Sequence, residues 1–269
     1  MNLGLFWHVF SIEARKLMSY RFDFWLNTMA GSLAQFVLVW CLWASIMTEP
    51  GATRGGYSFD GIVFYYVAVI LMGKLVGASH SQHDVSQDIY DGGLSRYLLF
   101  PTAYFGFKYA QRLGGMLPAV VQLVLLGLVY LLVLPFPEEL HLSPGSVLMG
   151  LSALALANLL FYSCIWLVQL VAFWADNVWS LVVMTLFISR LLGGSMLPLA
   201  MFPDWSRTWL DLLPFRYFYG FPVESLMGDV PPREWLVGMG IGLGWCCLFA
   251  LGSRLVWRRG MLQFTGVGI

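Results

Sequence analysis

An all-α membrane protein with six transmembrane helices is the fold this sequence predicts, and three observations lead there. Only 11% of its 269 residues are charged and 59% are hydrophobic, whereas an ordinary soluble domain carries about 25% charged residues. Apolar runs of roughly 20 residues recur along the chain, each long enough for a hydrocarbon core about 30 Å thick. Tryptophans stand near the ends of those runs, where an indole rests in the headgroup zone with its N–H toward water. Mean hydropathy is +0.72. The formal net charge is +0, which points to no nucleic-acid partner.

In chain order, residues 1–20 are too polar to cross, yet Leu3, Phe6, Trp7, Phe10, Ala14 and Leu17 recur at helical spacing opposite Glu13, Arg15 and Lys16. That pattern predicts a helix in the interface plane, or else a cytoplasmic extension of the first span. With charges crowding this stretch, no cleavable signal is expected. The spans fall at 24–47, 61–79, 109–134, 147–173, 178–199 and 235–257, marked by Trp25, Trp43, Trp174, Trp179, Trp235 and Trp257. Residues 80–101 form a polar loop with a short helical stretch, a Gly92-Gly93 break and a Pro101 stop. Residues 200–234 are too aromatic for a solvated loop, and Pro203, Pro214 and Pro222 cut them into pieces too short to cross. They are expected as short helices dipping into the outer interface. Cys41, Cys164, Cys246 and Cys247 lie in apolar runs without metal-ligand spacing and are expected as small core residues.

Basic residues are retained on the cytoplasmic side. With both termini inside, Arg15, Lys16, Arg21, Lys74, Arg96, Lys108, Arg112, Arg254, Arg258 and Arg259 fall on cytoplasmic segments or adjoining helix ends, while Glu49, Asp60, Glu138, Glu139, Asp204, Asp211, Glu224, Asp229 and Glu234 fall outside. The expectation is a multi-pass protein of the bacterial plasma (inner) membrane with both termini cytoplasmic and membrane lipid around it.

No nucleotide loop is present: of the three lysines Lys16, Lys74 and Lys108, only Gly73-Lys74 approaches G-x-x-x-x-G-K-[ST], with Leu75 in place of the hydroxyl and Ala68 in place of the first glycine. His80, His83, Asp84 and Asp88 have metal-ligand chemistry, but such residues are ordinary in a polar loop. Asp88-x-x-Asp91-Gly92-x-x-Ser95-Arg96 resembles half of the CDP-alcohol phosphotransferase motif. The other half would fall on Phe105, Tyr109 and Leu113, which cannot complete a carboxylate cage. Gly193-Gly194-Ser195 near a helix end suggests an intramembrane serine nucleophile, yet no histidine stands in a later span to activate it, and close helix packing is the simpler reading. Charges held within apolar spans are costly, so Lys74 and Arg190 are candidate pathway residues. For Lys74, snorkelling to the cytoplasmic side is the competing reading. Asn27, Gln35, Asn158 and Gln169 line the same interior or bond neighbouring helices.

The N-terminal helix, the loop IYDGGLSRYLLFP, and GGSMLPLAMFPDW followed by LPFRYFYGFPVESLMGD together resemble the permease subunits of type-2 ABC transporters. The loop is similar to I-x-x-G-x-L-x-x-x-L-x-x-P of a less characterised bacterial branch, carried by Ile89, Gly92 or Gly93, Leu94, Leu98 or Leu99, and Pro101. The resemblance implies an export subunit, not an enzyme by itself, that pairs with a second permease chain, identical or homologous, and two ABC ATP-binding subunits. No cofactor would be bound directly, with ATP and magnesium held in the partner subunit. It also implies an N-terminal elbow helix and a coupling helix over Gln82 to Tyr97, using Gln82, Asp84, Asp88, Ile89, Tyr90, Asp91, Gly92, Arg96 and Tyr97. Trp205, Trp209, Phe215 and Phe218 would belong to an outer lid. An ion-coupled transporter or channel without an ATPase is the alternative that Lys74 and Arg190 suggest.

Overall fold

In a computed structural model of the chain, residues 3–18, 22–49, 53–77, 83–133, 136–137 and 140–264 are described. They are helical, in twelve α-helices with short 3-10 turns between them. Helix α1 (Leu3–Met18) precedes α2 (Phe22–Ile46) and α3 (Phe59–Val76). The loop expected at 80–101 holds α4 (Asp84–Tyr90) and α5 (Leu94–Leu98). Then follow α6 (Tyr104–Gly114), α7 (Leu117–Val133), α8 (Pro144–Gln169), α9 (Trp179–Leu192), α10 (Asp204–Leu212), α11 (Gly220–Met227) and α12 (Pro232–Gly260).

Among the described residues, five helical stretches are long and apolar enough to cross a membrane: 29–46, 59–76, 104–130, 144–173 and 232–260. The sixth crossing, expected at 178–199, is shorter. Helix α9 has 14 residues and covers about 21 Å at 1.5 Å per residue. It stops because the chain doubles back at Gly193-Gly194. A methyl group on Gly193 would lie 2.3 Å from the Ser189 carbonyl oxygen and 2.6 Å from that of Phe215. Gly194 takes φ +87°, a left-handed conformation that L side chains resist. Apolar content alone carried the expected boundary past this turn.

The span expected at 109–134 starts earlier and is broken. Helix α6 ends at Gly114, Gly115 follows as its cap, and α7 resumes at Leu117. Helix α1 packs across the break so tightly that a methyl group on Gly114 would come within 2.6 Å of the Phe10 carbonyl oxygen. The predicted N-terminal helix is thus seated on α6.

Only part of the 200–234 segment is superficial. Pro203 and Pro214 do delimit α10, whose Trp205 and Trp209 are exposed. Pro222 does not cut the chain: it lies in the first turn of α11, where its missing N–H would have had no helical partner. Helix α11 is driven into the core against α8. Phe218, Val223, Ser225 and Met227 are fully buried, and the Leu226 Cα stands 2.9 Å from where a methyl group on Gly150 would be. Of the four expected lid residues, Trp205 and Trp209 face outward, Phe215 is half-buried, and Phe218 is a core residue edge-on to Phe161 at 5.3 Å.

Helix α8 is the hub, packing on α3, α4, α9, α11 and α12. One apolar core joins α2, α3, α7, α8, α11 and α12; a second, smaller one gathers α4, α5, the start of α6, the end of α8 and the end of α12. The Tyr65 and Tyr66 hydroxyls donate to the carbonyls of Gly194 and Met196 at 2.8 and 2.9 Å, which ties the doubled-back turn to α3. Replacing Gly194 by Ala is expected to cost about 1–3 kcal/mol, because the φ is strained and the new methyl would lie 2.7 Å from the Tyr65 hydroxyl. A thermal unfolding midpoint in detergent equal to that of the native chain would contradict the assignment of this turn.

Candidate functional site: a docked loop and a seam of buried cations

Helix α4 has seven residues, too few to hold itself in water, so its neighbours must supply the order. Gln169, in the last turn of α8 and 1% exposed, accepts from the Val85 and Ser86 backbone N–H groups through Oε1 at 3.0 and 3.3 Å. These are donors that a helix N-terminus leaves unmet. Asp88 pairs with Lys108 of α6 at 2.6 Å and accepts from the Tyr104 hydroxyl at 2.5 Å. The Lys108 ammonium also lies 4.8 Å from the centre of the Tyr97 ring, a favourable cation–π placement. At the other end of α4, the Tyr90 hydroxyl accepts from the Val178 N–H at 2.7 Å, at the start of α9. Burial pushes the Tyr90 phenol above its ordinary value, so it stays neutral there. Ile89 and Leu94 are fully buried against Tyr162, Trp166, Leu170 and Phe173.

The expected coupling residues therefore divide. Asp88, Ile89 and Tyr90 are spent inside the chain: an acid between a lysine and a tyrosine, an apolar anchor and a capping phenol. Gly92, at φ +69°, makes the break between α4 and α5. Tyr97 is half-buried and Asp84 partly so, while Asp91 and Arg96 are exposed. Gln82 lies outside the described residues, as does His80. Gln87, Leu98, Leu99 and Phe100 are exposed on the same stretch, Leu99 at 85%, and were not among the individual coupling residues expected, although Leu98 or Leu99 carries the loop motif. Three apolar residues in a row before Pro101 were the available signal.

The candidate pathway residues do not form one lining. Gln169 caps α4, since it is set where α8 meets the loop. Asn158 donates to the Leu75 carbonyl at 2.6 Å and accepts from the Tyr109 hydroxyl at 3.0 Å, binding α8 to α3 and α6. Lys74 does not snorkel outward: its ammonium donates to Ser32 and, at 2.9 Å, to Gln122, both buried. Beside them an apolar cleft of about 190 Å³ opens between α2, α3 and α7, lined by Ser32, Phe36, Val67 and Leu71 among others. Gln35 is exposed on α2, and the Asn27 side chain lies outside what is described. Arg190 is exposed in the last turn of α9. Among the described residues, no three His, Cys, Asp or Glu side chains cluster as a metal site would require.

Two arginines escaped the sequence reading. Arg112, assigned there to a cytoplasmic helix end, is 4% exposed, donates to the Val76 carbonyl at the end of α3, and lies over the Phe161 and Tyr162 rings at 5.7 and 5.5 Å. The negative end of the α3 dipole compensates its charge in part. Arg216, beyond α10, bridges Asp211 and Glu224, the latter at 2.9 Å. Burial works against its charge, and the carboxylates of Glu224 and Asp211 outweigh that effect, holding the guanidinium well above the ordinary arginine value.

A bundle of apolar helices with a polar loop docked against one end defines a polytopic membrane protein. Residues 33–268 match the family described as ABC-2 family transporter protein, and the chain belongs to that family: it is an ABC-2 type permease, the transport component and not itself catalytic. No curated protein matches the chain.

Replacing Asp88 by Asn leaves Lys108, 9% exposed, as a buried cation without its carboxylate, and should cost roughly 3–5 kcal/mol. Combining it with Lys108→Met should recover most of that loss. Thermal unfolding of the two single variants and the double variant measures the coupling, and additive losses would show that the pair does not hold the loop.

Proposed function

We propose that this permease is the transmembrane subunit of an ATP-driven exporter. It forms the substrate route with a second permease chain, identical or homologous, and is driven by two separate ATP-binding subunits that hold the ATP and magnesium. In this reading it resides in a bacterial plasma membrane with both termini cytoplasmic, and the segment 84–100 is the surface that the ATPase grips.

The observation that carries the reading is the division of labour along that segment. One side is fixed to α6, α8 and α9 by Asp88, Gln169 and Tyr90, while Gln87, Asp91, Arg96, Leu98, Leu99 and Phe100 are exposed on the other. A lever needs both properties: attachment to the spans it moves and a free face for the partner that pushes it. ATP-driven closure of the partner would press on α4 and α5 and tilt α6, α8 and α9 together, a rigid-body switch of the kind that packed interfaces permit.

The test is whether a neighbouring gene encodes a Walker-motif ATPase and whether the two chains copurify. Leu99→Asp and Asp91→Lys place a charge, or reverse one, on the free face without touching the Asp88–Lys108 pair. Each should reduce the recovered ATPase by about tenfold or more, as loss of a central interface contact does. Transport that persists without any ATPase would overturn the reading in favour of an ion-coupled carrier.

A further inference from the structure

The long apolar helices carry acids only in their first turns. The acids of α2, α3 and α12 are Asp23, Asp60 and Glu234, all in first turns, and α6, α7, α8 and α9 contain none. Lys74, Arg112 and Arg190 stand in the last turns of α3, α6 and α9. Lys74 and Arg112 are turned into the bundle, the first onto Ser32 and Gln122, the second onto the end of α3. Arg190 is different. It stands 12 residues beyond Val178, which places it about 18 Å along α9 from the docked loop, and it is exposed on the surface of the chain.

Around it, α9 presents Val183, Met184 and Phe187, each exposed, Met184 at 62% and Phe187 at 55%. Residues three and four apart share a helix face, so the guanidinium ends an apolar stripe. Behind it stands Tyr219, 6% exposed and within electrostatic reach of both Arg190 and Arg112. The Arg190 carbonyl accepts from the Ser195 and Met196 N–H groups, closing the helix end on this residue. None of the ion pairs among the described residues includes Arg190. A planar guanidinium is the group that grips phosphate, sulfate or carboxylate through two parallel hydrogen bonds, and Arg190 offers one at the surface of the chain.

We propose that Arg190 binds the head group of an anionic amphiphile whose hydrocarbon body lies along Val183, Met184 and Phe187, and that such amphiphiles are the cargo class of this permease. The proposal rests on the exporter reading for the word cargo; the binding site itself does not.

The test uses the permease–ATPase complex in proteoliposomes and three probes with the same chain length: dodecyl phosphate, dodecyltrimethylammonium and dodecyl maltoside. Dodecyl phosphate is expected to stimulate ATP hydrolysis at lower concentration than the other two. Arg190→Gln should raise the half-maximal concentration of dodecyl phosphate by about tenfold or more, the loss of one bidentate ion pair, while the other two probes shift little. Arg190→Lys keeps the charge but not the fork and should give a smaller shift confined to dodecyl phosphate; it also serves if the glutamine variant does not fold. Equal shifts for all three probes, or no shift, would overturn the proposal and leave Arg190 a packing residue. If no ATPase associates with the permease, binding of the same probes to the purified chain, followed by its thermal unfolding midpoint, still decides the site. Binding to Arg190 without stimulation or transport would mark a resident lipid and overturn the cargo assignment alone.

Discussion

The ion pair between Asp88 and Lys108, closed by the Tyr104 hydroxyl, is the contact on which the loop side of the molecule depends. Both charges are largely withdrawn from water, so neither is tolerable alone. Because one sits on a seven-residue helix and the other on a span, their pairing converts a segment too short to be stable into a fixed attachment. The Gln169 cap and the buried Ile89 and Leu94 complete it. The sequence reading did not anticipate that an acid 20 residues before a lysine, across a glycine break and a proline stop, is free to fold back upon it.

The opposite end is built on a different constraint, the lack of space at Gly193 and Gly194. There the chain abandons α9 after 14 residues and sends residues 215–227 back between α3 and α8. Phe218, Val223 and Met227 fill the interior that a longer α9 would have bounded, and the Gly220 N–H donates to the Gly193 carbonyl at 2.8 Å. Arg216 holds the turn together from the outer side through Asp211 and Glu224, while the Tyr217 hydroxyl donates to the Asp211 carbonyl at 2.6 Å. Helix α8 meets both constructions: its last turn caps α4 through Gln169, and its first half packs on α11 through Gly150. Any tilt of α8 is therefore felt at both ends of the bundle.

Much of this was legible beforehand, and the failures have physical causes. The N-terminal helix, a short helical stretch in the loop, the break at Gly92-Gly93 and the proline limits of α10 all follow from local rules of periodicity and backbone chemistry. Pro222 was misread because a proline in a first turn costs nothing, which only the start of α11 at Gly220 reveals. Gln169, Asn158 and Lys74 were grouped as pathway residues because a polar side chain in an apolar run has two uses, lining water or satisfying a neighbouring helix, and the same letter serves for both. Arg112 was assigned to a helix end because α6 begins earlier than its hydropathy indicates.

By itself the sequence determined that the chain lives in a bilayer, that it contains no G-x-x-x-x-G-K-[ST] motif, and that residues 80–101 and 200–234 differ in kind from the spans. Charge scarcity, run length and the chemistry of glycine and proline are local quantities, and local quantities decide those matters. Tertiary structure alone decided which acid meets which base, that α11 packs into the core, and that Arg190 keeps an open face while Arg112 and Lys74 do not. Those outcomes depend on which helices approach one another and how closely, a property set by packing between residues far apart in the chain.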